Sequence, residues 1–510
     1  GPLSIKRAVG TGLAAFRFER DWYHGRRFLG ANDFGGWMTQ LYFTDVSSLR
    51  APVSVEGVPV DLSSSLADAI DRISMMDGMP FLLDRDGSYL HDVNRFFRAC
   101  PTMGVRSRHS LRAYAHDILI WIRFLEERRA GKPIWRADHN DVIAFHHARR
   151  LSNAPFQISA SSWNRAIAAL DKLYRWALEE GLIASSPFRY DLSFRSGQGR
   201  GAPKVVEGNR ARERAARPHD MQFVDIGRYL VFRDIGLRGR LPDGSEDPAW
   251  RGRNGERNAV FAELLVTTGM RLGEAGSLII DELPRLTAES PRILPFDLPG
   301  VITKGERPRR IRLPRRVLKL IEDYSDIERQ IALAKTPPRP AIPFVLSSDG
   351  RNAVDGIGRR IALTKLRLQD RQRLLRSPDG RVEHVSLWLT ERGQPVSSGT
   401  WEVAFHRASE RCQAFGLDIT VTPHMLRHTF AVNMLSMLIR EQVGAIFNPT
   451  DAHGAAYRQM LGDPLRHLQH LLGHANITST YIYLDSLAEA QEIVDAAVDH
   501  WTAELMADDR

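Results

Sequence analysis

The side chains best suited to chemistry lie between Thr422 and Tyr483. His424 and Arg427 are three residues apart, so they share one face of the helix that Thr422 is predicted to cap. His474 follows later, and Tyr483 lies nine residues after it. Imidazoles can move protons, a guanidinium suits phosphate oxygens and a phenol can act as a nucleophile. The combination suits nucleophilic attack on a phosphate ester.

Helix-capping signals position these groups. Pro423 is typical of the first helical residue after a cap. Asp463 and Pro464 predict the start of a second short helix, and Gly473 predicts its end. His474 comes directly after that end. The imidazoles and the guanidinium are therefore expected to be held by helix ends.

The segment resembles the C-terminal signature of the tyrosine recombinases, also called the phage-integrase family: His-x-x-Arg, then Leu-Gly-His, then a Tyr nine residues on. The run ending at Arg271, with Glu274 three residues later, resembles the first-Arg motif of that family. The family places its catalytic Lys in a hairpin, and Lys304 matches it in a hairpin predicted from strands at 300–305 and 310–314. The resemblance implies these catalytic residues: Arg271, Lys304, His424, Arg427, His474 and Tyr483.

The chemistry of these groups agrees with the family roles. Tyr483 would attack phosphorus, and Tyr481 is the rival nucleophile. Arg271 and Arg427 would bind the non-bridging oxygens, while Lys304 would protonate the departing 5′-oxygen. His424 would accept or shuttle the phenolic proton, and His474 would donate to a phosphate oxygen. A covalent phosphotyrosine keeps the phosphodiester energy, so neither ATP nor a metal or other cofactor is expected.

A zinc site is the alternative interpretation of the histidines. Five of them have spacings that ligands could use: His424, His428, His467, His470 and His474. The set holds no Cys pair and no Glu, and histidines are common on helix surfaces. We therefore expect no metal.

Length and charge narrow the class of protein. A chain of 510 residues is too long for one ordinary core. Its net charge of +9 suits a polyanion partner such as nucleic acid and equally a basic soluble enzyme. Two cysteines fit a reducing compartment, and no apolar run approaches the roughly 18 residues of a membrane span. These features fit a reducing cytosol and favour no membrane partner. The resemblance implies double-stranded DNA as the partner, in the cytoplasm of a bacterium and with nucleoid association when DNA is bound.

The predicted fold is mainly α with a small antiparallel β-sheet. Residues 1–78 form an extension of unclear role, rich in basic and aromatic side chains that suit either DNA or a packed subdomain. Residues 79–194 resemble the helical, SAM-like core-binding domain of the family. Residues 195–219 are predicted to be a basic linker. Residues 220–510 would be the tyrosine-recombinase catalytic domain with a C-terminal helix.

Other features carry weaker predictions. Arg108, Arg112 and Arg165 could reach DNA phosphates, although each also fits an ordinary surface position. The stretches 325–382 and 440–460 exceed the compact family pattern, and we expect loops or helices there.

The tail after Tyr483 is predicted to be helical. Ser486 and Glu489 form a capping box, and one apolar stripe follows. Docking on its own domain is one way to bury the stripe. In the family such a tail often docks on a neighbouring protomer, which favours a homo-oligomer, by resemblance a tetramer on two duplexes.

The resemblance implies a site-specific DNA recombinase that acts through a 3′-phosphotyrosine and a Holliday junction. Such an enzyme would integrate, excise or transpose a mobile element as an integrase or a transposase, with a directionality or host accessory factor as a further partner. A type IB-like topoisomerase and a non-catalytic DNA-binding regulator on the same fold are the alternatives.

Overall fold

The computed structural model divides into two compact units, Gly1–Arg217 and Pro218–Arg510. The described residues are 38–44, 53–55, 58–60, 78–105, 107–153, 157–195, 204–213, 222–335, 344–355, 358–377, 382–447, 463–484 and 487. Most of the N-terminal extension and the predicted helix after Ser486 therefore lie outside the described residues. Within the described ranges, no helix is long and apolar enough to cross a membrane.

The first unit is mainly helical. Its elements are β1 (Gln40–Phe43), β2 (Val53–Val55), β3 (Val58–Val60), β4 (Pro80–Leu83), α1 (His91–Ala99), α2 (Arg108–Arg128), α3 (His139–His146), α4 (Ala160–Glu179), β5 (Tyr190–Arg195) and β6 (Lys204–Asn209). The strands form three antiparallel pairs, β1 with β4, β2 with β3 and β5 with β6.

Helices α2 and α4 supply most of the core of this unit. Trp121 and Tyr174 are fully buried, and the Trp121 Nε1 donates to the Tyr174 hydroxyl over 2.9 Å. Phe145 of α3 packs edge-on against Trp121, with ring centroids 5.0 Å apart. Helices α2, α3 and α4 confirm that this part of the chain is helical, and their buried apolar side chains face one core.

Part of the basic segment 195–219 packs on the helical unit. Strand β6 pairs with β5 over its whole length. The Asp171 carboxylate of α4 accepts hydrogen bonds from the Tyr190 hydroxyl (2.6 Å) and from the Asn209 amide (3.0 Å). Glu213 is paired with His146 and Arg150 of the preceding helical region. Residues 204–213 of the predicted linker are therefore held against the helical unit by a strand pairing and by side-chain contacts.

The second unit surrounds a buried helix. Its elements are α5 (Ile226–Val231), α6 (Gly255–Thr268), α7 (Leu272–Gly276), β7 (Ile293–Leu298), β8 (Arg309–Pro314), α8 (Arg315–Asp326), α9 (Glu328–Leu333), β9 (Phe344–Leu346), β10 (Asn352–Val354), β11 (Arg360–Ala362), α10 (Leu368–Arg371), β12 (Leu374–Arg376), β13 (Glu383–His384), α11 (Ser398–Ala414), α12 (Pro423–Phe447), α13 (Pro464–Leu472) and α14 (Thr478–Tyr481).

Helix α6 is the buried helix at the centre of this unit. Its Phe261 ring stacks on Trp401 of α11, with centroids 3.7 Å apart, and meets Trp388 edge-on. All three aromatic side chains are buried. Because α6 ends at Thr268, this packing fixes the start of the segment that carries Arg271.

The hairpin near Lys304 differs from the prediction in its first strand. That strand is β7, Ile293–Leu298, and not residues 300–305. Its side chains alternate between exposed and buried, which places Leu294, Phe296 and Leu298 in the core. Lys304 instead lies in the exposed turn that connects β7 to β8.

The stretch 325–382 was expected to form loops or helices. Its described part contains helices α9 and α10 and, in addition, strands β9 to β12. Strands β9 to β13 form a five-stranded sheet in the order β11–β10–β9–β12–β13, with β9 and β12 parallel and the other pairs antiparallel. The sheet has its own small core, which includes Phe344, Leu374 and Val385. Of the stretch 440–460, α12 continues to Phe447 and the rest is outside the described residues.

Candidate active site

Arg271 lies where α6 gives way to α7. Gly269 ends α6 in the left-handed conformation, with φ 63°. A Cβ at this glycine would come within 2.3 Å of the Phe430 ring, so both the backbone and the close approach require glycine. Arg271 follows in an extended conformation and precedes α7. The turn therefore directs its side chain out of the α6 core.

Glu274 anchors two guanidinium groups. Its carboxylate accepts from Arg271 Nη1 (2.9 Å) and from Arg309 Nη1 and Nη2 (2.7 and 2.6 Å). It also accepts from the backbone N–H of Arg271 at the start of α7. Burial alone would raise the pKa of Glu274, but the bonds and charge of Arg309 and the charge of Arg271 outweigh it and hold the pKa below its usual value. The carboxylate thus remains ionised.

Arg427 joins three parts of the chain. It lies one turn into α12, is 2% exposed, and donates to the carbonyls of Gly269 and of Leu472, the latter over 2.6 Å. Burial and the neighbouring charge of Arg271 lower the pKa of Arg427 to about 9, which leaves it protonated at neutral pH. Its positive charge is matched by carbonyl dipoles rather than by a carboxylate of its own.

A cavity of about 280 Å³ opens beside these groups, and Arg271, His424 and Arg427 are among its lining residues. Loss of hydration, followed by the charges of Arg427, Arg271 and Lys304, lowers the pKa of His424. The charge of Lys304 therefore acts on this cavity from the β7–β8 turn. The cavity presents fixed positive charge to an incoming anion.

His474 follows Gly473, which ends α13 with φ 64°. A Cβ at Gly473 would come within 2.7 Å of the Arg309 side chain, so this glycine also allows a close approach. The His474 Nδ1 is 3.0 Å from the Thr480 hydroxyl. Burial and the charges of nearby arginines, Arg427 first, lower the pKa of His474 to about 4. The imidazole is therefore neutral at neutral pH and can donate one hydrogen bond.

Tyr483 lies inside the site, and Tyr481 lies outside it. Tyr483 is 1% exposed, and its ring is parallel to that of His474 with centroids 6.1 Å apart. Burial raises the pKa of Tyr483, while the charges of Arg427 and Arg271 oppose the rise. Tyr481 is 48% exposed. Of the two, Tyr483 is the phenol that shares the field of the arginines.

Two residues of the site, His428 and Arg309, were not predicted from the sequence to have a role in it. His428, considered above only as a metal ligand, places its Nδ1 3.2 Å from the Tyr483 hydroxyl. Its spacing of four from His424 was the available signal. Arg309, at the start of β8, bonds Glu274 and donates from Nε to the Leu471 carbonyl (3.1 Å). No sequence signal links these distant positions.

The three weaker arginine candidates lie in the first unit. Arg165 is paired with Asp117 through two bonds of 3.0 and 3.1 Å, although its side chain is 55% exposed. Arg112 stacks over the Phe43 ring, with its guanidinium 4.8 Å from the ring centroid. The Arg108 side chain lies against Gly78. All three already contact the protein.

The cavity in the second unit is lined by three of the predicted residues, Arg271, His424 and Arg427. The charges of Arg427 and Arg271 also act on His474 and Tyr483, and the charge of Lys304 acts on His424. His428 and His474 are neutral at neutral pH. The phenol of Tyr483 lies within the electrostatic field of Arg427 and Arg271. Within the described part of the chain, no three His, Cys, Asp or Glu side chains are placed to hold a metal ion. The arrangement can bind an oxyanion and supply a nucleophile next to proton carriers.

Family models match both units. Residues 89–181 match the model described as "Phage integrase, N-terminal SAM-like domain", and residues 249–443 match the "Phage integrase family" model. The second match includes Arg271, Lys304, His424 and Arg427. His474 and Tyr483 lie beyond it, so their assignment rests on the geometry above and on their spacing.

The chain is also similar to curated tyrosine recombinases and to solved structures of a site-specific recombinase and a transposon integrase. The chain is 21% identical to a tyrosine recombinase XerD of Listeria innocua over 379 residues, 74% of this chain and 88% of the relative. It is 24% identical to a XerC of Bradyrhizobium diazoefficiens over 409 residues, 79% and 91% of the two chains. A XerH recombinase bound to difH covers 81% of this chain and 85% of its own (14% identity, TM-score 0.43). A Tn1549 transposon integrase bound to circular-intermediate DNA covers 77% and 94% (16%, 0.43).

Proposed function

The chain belongs to the phage integrase family of tyrosine recombinases, enzymes that cleave and rejoin DNA strands, and we propose that its own reaction passes through a 3′-phosphotyrosine at Tyr483. The observation that supports this most directly is the position of that phenol. Its charge environment includes Arg271 and Arg427, and its ring lies beside His474. A phosphodiester held by the two guanidinium groups would lie close to the hydroxyl.

The cavity supplies the groups that the cleavage step needs. Arg271 and Arg427 bind the non-bridging oxygens and neutralise the charge that develops there. The Tyr483 oxygen attacks phosphorus, its bond to phosphorus forms and the bond to the 5′-oxygen breaks. Lys304, on a turn beside the cavity, gives its proton to the departing 5′-oxygen. His474 donates a hydrogen bond to a phosphate oxygen.

The burial of Tyr483 adds a step before chemistry. With the residue 1% exposed, a phosphodiester cannot approach its hydroxyl in line. The residues that cover this hydroxyl must shift when DNA enters the cavity. DNA binding and exposure of the nucleophile are therefore coupled in this proposal.

The DNA contacts extend to the first unit. Arg108, Arg112 and Arg165 remain the proposed phosphate-binding residues there, with the net charge of +9 in support. The Arg165 pair with Asp117 would lower its contribution, since a guanidinium already held by a carboxylate gains less from a phosphate.

A higher-order assembly completes the proposal. We expect a tetramer on two duplexes that exchanges strands for integration, excision or transposition of a mobile element, with an accessory factor to set direction. The predicted tail helix, outside the described residues, would dock on a neighbouring protomer. Truncation after position 485 should keep single-site binding and abolish the synaptic complex, whereas normal recombination by the truncated chain would overturn trans docking.

A nicked suicide duplex tests the reaction. Its site is selected from a random duplex library by binding to the full-length chain, and the covalent adduct is measured on a denaturing gel in excess EDTA. The wild-type chain and the Tyr481→Phe variant should form the adduct, and Tyr483→Phe should not. An adduct with Tyr483→Phe, or one that needs added magnesium or zinc, would overturn the proposal.

Exchange between two site-bearing duplexes is then measured with the same chain. Joint products should appear alongside cleavage. Relaxation of a supercoiled plasmid with no exchanged product would instead identify a topoisomerase of the type IB kind.

A further inference from the structure

The two histidines at the start of α12 face different partners. His424 lines the cavity together with Arg271 and Arg427. His428, one turn further on, directs its Nδ1 to the Tyr483 hydroxyl, 3.2 Å away. The two rings meet edge-on with centroids 4.3 Å apart. One histidine therefore serves the side where the phosphate would bind, and the other contacts the nucleophile.

We propose that His428 is a further catalytic residue that accepts the phenolic proton of Tyr483 during DNA cleavage. Among the described residues, its Nδ1 is the only hydrogen-bond partner of that hydroxyl. His424, the histidine of the family signature, makes no hydrogen bond to this hydroxyl within the described part of the chain. The inference rests on the proposed function, because it takes Tyr483 as the nucleophile.

The surroundings keep His428 able to accept a proton. Burial, the nearby His424 and the charge of Arg427 lower the pKa of His428 to about 4. The ring is therefore neutral at neutral pH, and with its proton on Nε2 the Nδ1 lone pair is available to the phenol. His424 and Arg427 face His428 from α12, and Tyr483 and His474 face it from the C-terminal segment.

The proton transfer balances the cleavage step. As the Tyr483 oxygen bonds to phosphorus, it loses electron density and its O–H becomes strongly acidic. The proton passes to Nδ1 of His428 in the same step, while the 5′-oxygen leaves and takes a proton from Lys304. A phosphodiester in the cavity also offsets the field of the arginines, which makes the imidazolium of His428 less costly. Rejoining returns both protons.

Two substitutions separate proton transfer from simple hydrogen bonding. Asn at 428 places an amide oxygen close to the position of Nδ1, so it can hold the hydroxyl but cannot take its proton. Ala removes both functions and leaves room for added imidazole. His467→Asn, on the exposed side of α13, is the matched control.

Single-turnover adduct formation on the suicide duplex is measured for each full-length variant. General-base removal typically costs about 10²–10⁴-fold, so His428→Ala and His428→Asn should both slow by at least about 10²-fold near pH 7. Imidazole should restore the rate of His428→Ala. The rate of His428→Asn should rise about tenfold per pH unit, because hydroxide must now remove the proton, while the wild-type rate stays flat.

Folding and DNA binding are checked by circular dichroism and gel shift, and the comparison is made per bound chain. A wild-type rate for His428→Asn at every pH would overturn the proposal, since a mere acceptor would then suffice. A His428→Ala rate that is slow but unchanged by imidazole would also overturn it. An adduct formed by Tyr483→Phe would instead show that the nucleophile assignment is wrong.

Discussion

Replacing Glu274 by Gln should damage both the stability and the activity of the second unit. The carboxylate is 2% exposed and accepts bonds from Arg271 and Arg309, whose side chains are 26% and 6% exposed. Removing one charge of a buried pair costs about 3–5 kcal/mol, and here the buried Arg309 dominates. At roughly 2 °C per kcal/mol for a unit of this size, the unfolding transition should fall by about 6–10 °C. Loosening Arg271 should also slow cleavage by about 10²-fold.

The stabilising effect of the Glu274 carboxylate should depend on pH. The folded-state pKa of Glu274 lies below its ordinary value of 4.5. Its contribution to stability is therefore complete above that value and is lost as pH falls through the folded-state pKa. The difference in unfolding temperature between the wild-type chain and Glu274→Gln should be largest at neutral pH and should shrink as the pH falls below 4.5.

Calorimetry of the full-length chain and the suicide-duplex assay measure the two effects. Glu263→Gln is the matched control, because Glu263 is equally buried and accepts from Arg233 (2.6 Å) and Arg316 (2.7 Å), neither of which lines the cavity. It should destabilise the unit but leave the cleavage rate per folded chain unchanged. Equal loss of cleavage in the two variants, or an unchanged transition in Glu274→Gln, would refute the reasoning.

Two further predictions concern single groups. Lys304→Ala should be slow on ordinary DNA and largely rescued by a 5′-bridging sulfur, whose departure needs little protonation; absence of rescue would assign the general acid elsewhere. His384 is 2% exposed, neither ring nitrogen has a hydrogen-bond partner within the described structure, and burial with the charge of Arg329 lowers its pKa to about 4. Protonation then favours the unfolded chain from about pH 6.5 downward, so His384→Leu should raise the unfolding temperature more near pH 5 than near pH 8. An equal gain at both would contradict this.

Local signals made much of the site predictable. Thr422 and Asp463 cap helices whose first turns are read directly from the sequence, and Gly473 ends one of them. The spacings from these caps carry His424 and Arg427 onto one helical face, as predicted. These helix caps and spacings involve residues only a few positions apart, so they can be predicted from the local sequence.

Other features depend on contacts between distant residues. Glu274 and Arg309 are 35 positions apart, and Arg309 and Leu471 are 162 apart. The strands β9 to β11 have three residues each, too few for a period-two pattern to be distinguished from a loop. Residues 293–298 of β7 do alternate between exposed and buried side chains, but the strand was predicted at 300–305 instead.

The charge balance around Arg427 links substrate binding to the placement of the nucleophile. Its buried guanidinium is held by the Gly269 and Leu472 carbonyls, and Glu274 is the carboxylate that faces the neighbouring arginines. A phosphodiester would supply the missing negative charge, so binding should stabilise the folded site. Leu472 ends α13, directly before the segment that leads to Tyr483. A phosphate that fixes Arg427 therefore also fixes the start of the segment that carries the phenol.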